Sequence, residues 1–234
     1  MLYLIGLGLN EEGYSWKAYN VISKADKVYI ESYTVDFPYD IPKLQAQFKN
    51  KKFIRADREF IESLNFLDEA KKSDIALLVY GSPLVATTHI SILQEAKKRK
   101  IKLKIIHNAS ILDAVGETGL QLYKFGKTAS MPGFDADSYM DIVRQNLGIK
   151  AHTLILVDIG LEFQDALEKL IRDSKSKNVK LDKIVVCSRL GLHDSKIYYN
   201  TINRLKSKDI RKPFCIIIPG ELHFMEREFL ENFG

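Results

Sequence analysis

The apolar run Leu77-Leu78-Val79-Tyr80 stops at Gly81-Ser82-Pro83 and continues as Leu84-Val85-Ala86-Thr87-Thr88-His89. Such a stretch suits ligand binding. In an open parallel sheet, ligands settle at the carboxyl ends of the strands, where loops carry backbone donors and acceptors that the sheet has not used. Gly81 lets the backbone approach a ligand, Pro83 fixes φ, and Thr87 or Thr88 offers a side-chain oxygen to cap the next helix. An ordinary strand-to-helix connection uses the same residue types, so the rest of the chain has to decide. Metal chemistry has little support: His89, His107, His152, His193 and His223 form no pair at i, i+4, and no Cys-x-x-Cys accompanies them. Cys187 and Cys215 each sit inside a strand-like apolar run, which predicts buried reduced thiols rather than a disulfide or a nucleophile.

The elements that must position this loop alternate. Strands are predicted at 2–5, 28–33, 52–55, 75–80 and 102–107, with helices at 15–24, 58–72 and 88–100. Alternation of this kind predicts parallel pairing through right-handed helical crossovers, which gathers Leu9, Tyr33, Ser82 and Asn108 on one sheet edge. After about Ser110 the pattern changes. A helix at 112–118, a short strand at 126–131 and a Pro-Gly-Phe-Asp turn lead to strands at 153–159, 183–189, 196–201 and 214–218. Helices are predicted near 162–173, 202–208 and 224–233. The expectation is α/β with two domains, a mostly parallel sheet with flanking helices in 1–110 and a mixed sheet in 111–234. No Gly/Ser linker, repeat or low-complexity stretch separates them.

A chain of 234 residues with 46% hydrophobic content can bury a sizeable core. No apolar run approaches the ~20 residues needed to span a bilayer, and the start lacks a signal peptide's basic region and cleavage site, which predicts a cytosolic protein. The net charge of +5 arises from 35 basic and 30 acidic residues, the basic ones grouped at Lys49-Lys51-Lys52, Lys97-Lys98-Arg99-Lys100, Lys175-Lys177-Lys180 and Lys206-Lys208-Arg211-Lys212. Most are predicted helix ends, where cations oppose the macrodipole. Aromatic residues do not interleave with them as a base-stacking platform requires, which argues against nucleic acid as the partner.

Further blocks stand beside the Gly81–His89 loop: Met1-Leu2-Tyr3-Leu4-Ile5-Gly6-Leu7-Gly8-Leu9-Asn10, Glu31-Ser32-Tyr33-Thr34, His107-Asn108-Ala109-Ser110-Ile111, Tyr123-Lys124-Phe125-Gly126-Lys127 and Ile218-Pro219-Gly220-Glu221-Leu222-His223. In this order, over nearly the whole chain, they resemble the diphthine synthases, a group within the tetrapyrrole-methylase-like S-adenosylmethionine-dependent methyltransferases. The resemblance implies a tetrapyrrole methylase-like fold with the cofactor folded between two domains, a homodimer, and repeated methylation of the α-amino group of a modified histidine on translation elongation factor 2. It carries cofactor contacts onto Leu9, Ser82, Val85, Ser110, Ile111, Val157, Ser188 and His223. Leu9, Val85, Ile111 and Val157 are then apolar walls, Ser110 and Ser188 offer hydroxyls, and His223 either meets the ligand or caps the last helix.

One departure stands out. The family usually has Gly-Asp-Pro where this chain has Gly81-Ser82-Pro83, so a hydroxyl replaces a carboxylate, with Glu31 and Asp113 as candidate substitutes. An ionised acceptor makes hydrogen bonds roughly twice as strong as a neutral one. Methyl transfer from a sulfonium to an amine is an in-line displacement in which positioning carries most of the catalysis. A free α-amine has a pKa near ~8, so a useful fraction is unprotonated and no residue spacing marks out a general base. Lys124, Lys127, Arg144 and Arg189 are candidates either for the substrate carboxylate or for structural ion pairs. Two other readings stay open, a small-molecule methyltransferase acting on a tetrapyrrole and a non-catalytic binding module that has lost the cofactor.

Overall fold

The computed structural model of the protein describes residues 1–49 and 51–234. They form two compact units, Met1–Asp113 and Ala114–Gly234. The first runs β1 (Leu2–Gly6), α1 (Trp16–Lys24), β2 (Lys27–Glu31), α2 (Ile41–Ala46), β3 (Phe53–Ala56), α3 (Arg58–Ser63), α4 (Phe66–Glu69), β4 (Ile75–Val79), α5 (Ile90–Lys98) and β5 (Leu103–Ile106), and α6 (Ile111–Ala114) crosses its end. Its sheet has the order β3-β2-β4-β1-β5 and every pair is parallel.

The continuous apolar run of β4 follows from burial on both faces. Ile75, Leu77 and Val79 pack with Ile61, Phe66 and Ile92 of α3, α4 and α5, whereas Ala76 and Leu78 pack with Ala18 and Ile22 of α1 and Leu44 of α2. Burying each such Leu or Ile contributes about 2 kcal/mol relative to leaving it in water. The chain steps from β1 to β2 to β3 in one direction along the sheet and from β3 to β4 to β5 in the other. Right-handed crossovers therefore place α1 and α2 on one face and α3 to α5 on the opposite face. The neighbours β1 and β4 send their following helices, α1 and α5, to opposite faces, and open α/β sheets bind ligands beside such a reversal of face.

The second unit runs β6 (Ala129–Met131), α7 (Tyr139–Gly148), β7 (Thr153–Val157), α8 (Phe163–Ser176), β8 (Lys183–Ser188), β9 (Lys196–Thr201), α9 (Ile202–Leu205), β10 (Phe214–Ile218) and α10 (Phe224–Leu230). Its order is β6-β7-β10-β8-β9. β6 pairs with β7 in parallel and the other three pairs are antiparallel, so the sheet is mixed, as expected. Met140 and Val143 of α7 and Ala166, Leu167 and Leu170 of α8 cover Ile155, Ile184, Val186 and Ile216.

Three local expectations need correction. The helix predicted over 58–72 is broken into α3 and α4 by Leu64, whose φ is 56°. Local side-chain bonds compete with the helix there: the Ser63 hydroxyl donates to the Phe60 carbonyl and accepts from Asn65 N. Helices α2 and α7 lie outside the predicted elements, although Asp40-Ile41-Pro42 carries a start signal for α2 and Met140, Val143 and Leu147 share one face of α7. Finally, neither Thr87 nor Thr88 caps α5; His89 occupies the N-cap position without a side-chain cap. Among the described residues no helix is long and apolar enough to cross a membrane.

Candidate functional site

Three loops converge at the carboxyl ends of β1, β4 and β5. Gly8 and Gly81, with φ of 76° and 68°, exchange backbone bonds: Gly81 N donates to Gly8 O at 2.9 Å and Gly8 N to Gly81 O at 3.2 Å. Positive φ is the reason for glycine at both places. Asn108 ties in the third loop, its Nδ2 donating to the carbonyls of Gly6 (3.1 Å) and Gly13 (2.9 Å) while its Oδ1 accepts from Ala109 N (2.8 Å). The Tyr80 hydroxyl donates to Leu9 O at 3.1 Å. A methyl group built on Gly81 meets the Ser110 Cα at 3.8 Å and the Leu9 Cδ2 at 3.9 Å. Within the first unit, Leu9, Ser82 and Ser110 thus lie around one point, with Val85 and Ile111 on the same loops.

The Gly81–His89 segment is braced internally. The Pro83 carbonyl accepts from Thr87 Oγ1 (3.2 Å) and faces His89 Nδ1 (3.0 Å), and Thr88 Oγ1 shares a 3.1 Å hydrogen bond with the Tyr33 hydroxyl. The Thr87 hydroxyl therefore braces its own loop and the Thr88 hydroxyl ties it to the loop after β2, which explains why neither caps α5.

Both candidate carboxylates already accept bonds from their own loops. Glu31 is fully buried and accepts from Tyr33 N (2.8 Å), Thr34 N (2.7 Å) and the Thr34 hydroxyl (2.5 Å). Asp113 accepts from Ser110 N at 2.7 Å and from the Ser110 hydroxyl at 3.0 Å. The same hydroxyl accepts from Leu112 N, so Ser110 is a local cap and its side chain is engaged at home.

In the second unit the register separates the three expected contacts. Leu156 pairs with Cys215 and Ser188 with Phe214, so Val157 and Ser188 share the edge where β10 begins. His223 follows the end of β10, and Glu221 N donates to Lys150 O there, ahead of β7. The structure brings Val157 and Ser188 to one edge and sets His223 at the other. The Ser188 hydroxyl donates to Arg211 O at 2.7 Å, which commits it to the protein. His223 is the N-cap of α10, its Nδ1 accepting from Met225 N.

Sequence reasoning missed the hub at that second edge. Glu226, 1% exposed, accepts from Lys124 Nζ (2.5 Å), Gln121 N (2.9 Å) and His223 N (2.8 Å) and faces His152 Nε2 (3.1 Å). Gly220 N donates to His152 Nδ1, which leaves the imidazole proton on Nε2, directed at the carboxylate. Burial alone would raise the Glu226 pKa; the bonds from Lys124, the two backbone amides and His152 overrule it and bring it down to about 2. Burial lowers the His152 pKa and keeps that ring neutral. The Tyr123–Lys127 and Ile218–His223 blocks are thereby physically joined. A local signal existed, since His223 and Glu226 have capping-box spacing.

The four candidate substrate cations are all engaged: Lys124 with Glu226, Lys127 with Gln145, Arg144 with Asp141 and Arg189 with Asp194. Cys187 and Cys215 face each other across β8 and β10, both buried, and the bond to Cys215, with burial, raises the Cys187 thiol.

A parallel sheet with glycine-built loops at its reversal point, followed by a mixed α/β unit, defines a two-unit α/β protein of the ligand-binding kind. Residues 1–206 match the family described as Tetrapyrrole (Corrin/Porphyrin) Methylases, and the chain belongs to that family. It is 38% identical to the diphthine synthase of Methanococcus maripaludis, over 99% of this chain and 98% of that protein. It is 36% identical to the diphthine methyl ester synthase of Dictyostelium discoideum, over 100% of this chain and 98% of that protein. A crystal structure of diphthine synthase matches with a TM-score of 0.92 at 33% identity, covering 100% of this chain and 95% of that one.

Proposed function

We propose that this chain is an S-adenosylmethionine-dependent methyltransferase of diphthamide biosynthesis that repeatedly methylates the amino group of the modified histidine on translation elongation factor 2. The observation that carries the reading is the Gly8–Gly81 junction at the β1–β4 reversal, on a chain similar over its whole length to diphthine synthases. In this reading the protein works in the cytoplasm as a homodimer. A sedimentation mass of one chain would remove the second point.

The residues at the junction fit the cofactor by their chemistry. Leu9, Val85 and Ile111 are apolar groups suited to an adenosyl and a methylene chain, and Ser82 supplies a hydroxyl beside them; Val157 and Ser188 are the contacts assigned to the second unit, whereas His223 serves first as a helix cap. When bound, S-adenosylmethionine supplies an electrophilic methyl on a sulfonium sulfur. The chain contributes positioning: the paired glycine backbones and the Asn108 bonds fix the loop walls before a ligand arrives, which removes orientational freedom from the reacting groups. Apolar walls also keep water from the electrophile. The neutral form of the acceptor amine provides the lone pair, with its proton released to solvent.

Glu31 is buried and satisfied by Tyr33 and Thr34, and Asp113 is engaged by Ser110, so neither replaces a carboxylate at position 82 itself. Ser82→Asp is therefore expected to tighten cofactor binding about fivefold to tenfold, the difference between a charged and a neutral acceptor. Calorimetric titration with S-adenosylmethionine tests this and the reading together. A wild-type protein that takes up no cofactor at millimolar concentration favours the binding-module reading, and unchanged affinity in the variant shows that the serine is no handicap.

A further inference from the structure

His89 is fully buried, yet it carries a polar ring at the end of the loop after β4, where α5 begins. Its Nδ1 faces the Pro83 carbonyl at 3.0 Å, and since a carbonyl only accepts, Nδ1 holds the proton and Nε2 the lone pair. Nε2 has no hydrogen-bond partner among the described residues. A core position chosen for packing alone would be better served by Leu or Phe, which leave no buried lone pair unmatched. The bond to Pro83 is what the histidine retains. It closes a six-residue span that contains Leu84, Val85 and Ala86, and Ala86 is held at a φ of 54°, a region that non-glycine residues seldom occupy. The Tyr33 ring stands edge-on to the imidazole at 6.4 Å and 86°, and the Tyr33 hydroxyl bonds Thr88 next to it, while Glu31 fixes the Tyr33 amide. The loop after β2 therefore buttresses the loop after β4.

We infer that His89 is a positioning residue for cofactor binding: its Nδ1–H, bonded to the Pro83 carbonyl, holds the Ser82–Thr88 loop in the shape that presents Ser82 and Val85. This rests on the proposal that S-adenosylmethionine binds this loop. The imidazole takes no part in bond making; it lowers the freedom the loop loses when a ligand is bound.

A matched pair of variants isolates the nitrogen concerned. In His89→Asn the amide nitrogen takes the place of Nδ1, and in His89→Gln it takes the place of Nε2; both keep a polar donor of similar size. Calorimetry is expected to give His89→Asn an affinity for S-adenosylmethionine within about threefold of wild type and His89→Gln one weaker by about tenfold, the value of one lost hydrogen bond. In steady-state assays the His89→Gln loss should fall on KM for the cofactor, with kcat at saturation within about twofold. The reverse order of the two variants, equal affinities, or a loss confined to kcat overturns the inference. Backbone order parameters of the wild-type protein without cofactor supply a check independent of any variant. Values near ~0.85 over residues 84–88 are expected, and values below ~0.6 contradict a preformed loop. If wild type binds no cofactor, the functional reading fails instead, and the order parameters alone judge the role of His89.

Discussion

Gly6→Ala is expected to weaken cofactor binding by more than tenfold and to destabilise the fold by about 2–3 kcal/mol, because the added methyl group lands inside the meeting point of three loops. A Cβ at position 6 lies 2.6 Å from the Gly81 carbonyl oxygen, 2.9 Å from Pro83 Cδ and 3.0 Å from Asn108 Cβ. Two of these neighbours belong to the backbone or to a proline ring, which cannot swing aside as a flexible side chain can. The Gly81 carbonyl is also the acceptor for Gly8 N, so displacing it breaks the junction between β1 and β4. Gly148→Ala is the control: nothing lies within 4 Å of its added methyl, and alanine near the end of α7 is expected to stabilise by up to about 0.5–1 kcal/mol. Urea denaturation and calorimetry on both variants check the contrast, and equal behaviour would show that the junction tolerates expansion.

Lys124→Met is expected to remove about 3–5 kcal/mol at neutral pH, since it leaves the buried Glu226 carboxylate without its cation. The effect carries a pH signature. Glu226 titrates near 2 in the folded protein, below its ordinary value of 4.5, so it contributes stability that is present above about pH 4.5 and is lost as the pH falls towards 2. His152 has a folded pKa below its ordinary 6.5, so the unfolded chain takes up that proton first and stability already declines as the pH drops below 6.5. Wild type and Lys124→Met should therefore differ most at neutral pH and converge as Glu226 is protonated. Denaturation midpoints at pH 7, 5 and 3 read this directly. A difference that stays constant with pH would mean that Lys124 acts through packing alone.

The alternation of short apolar runs with helix-length segments made the parallel sheet legible, because β4 is buried on both faces and wholly apolar and its neighbours are apolar at most positions. Gly81-Ser82-Pro83 and Asn108 were legible as edge residues for the same topological reason. Less visible was the use each side chain is put to. Ser110, Ser188 and His223 have residue types suited to a ligand, and each also has a local bond to make, with Asp113, Arg211 and Met225 respectively. The separation of His223 from Val157 and Ser188 follows from antiparallel register, which a list of strands does not contain. Glu226 escaped notice because a glutamate in the first turn of a helix reads as an ordinary N-terminal charge, and only the return of residues 121–124 and 152 reveals the buried hub.

Transfer of labelled methyl groups tests the central claim most directly. The protein is incubated with methyl-labelled S-adenosylmethionine and elongation factor 2 bearing the unmethylated histidine derivative, and the modified peptide is sequenced by mass spectrometry. Successive methyl additions on the amino group of that one residue are predicted. Label absent from the factor, or present only as an alkali-labile ester, would contradict amine methylation as the activity of this chain.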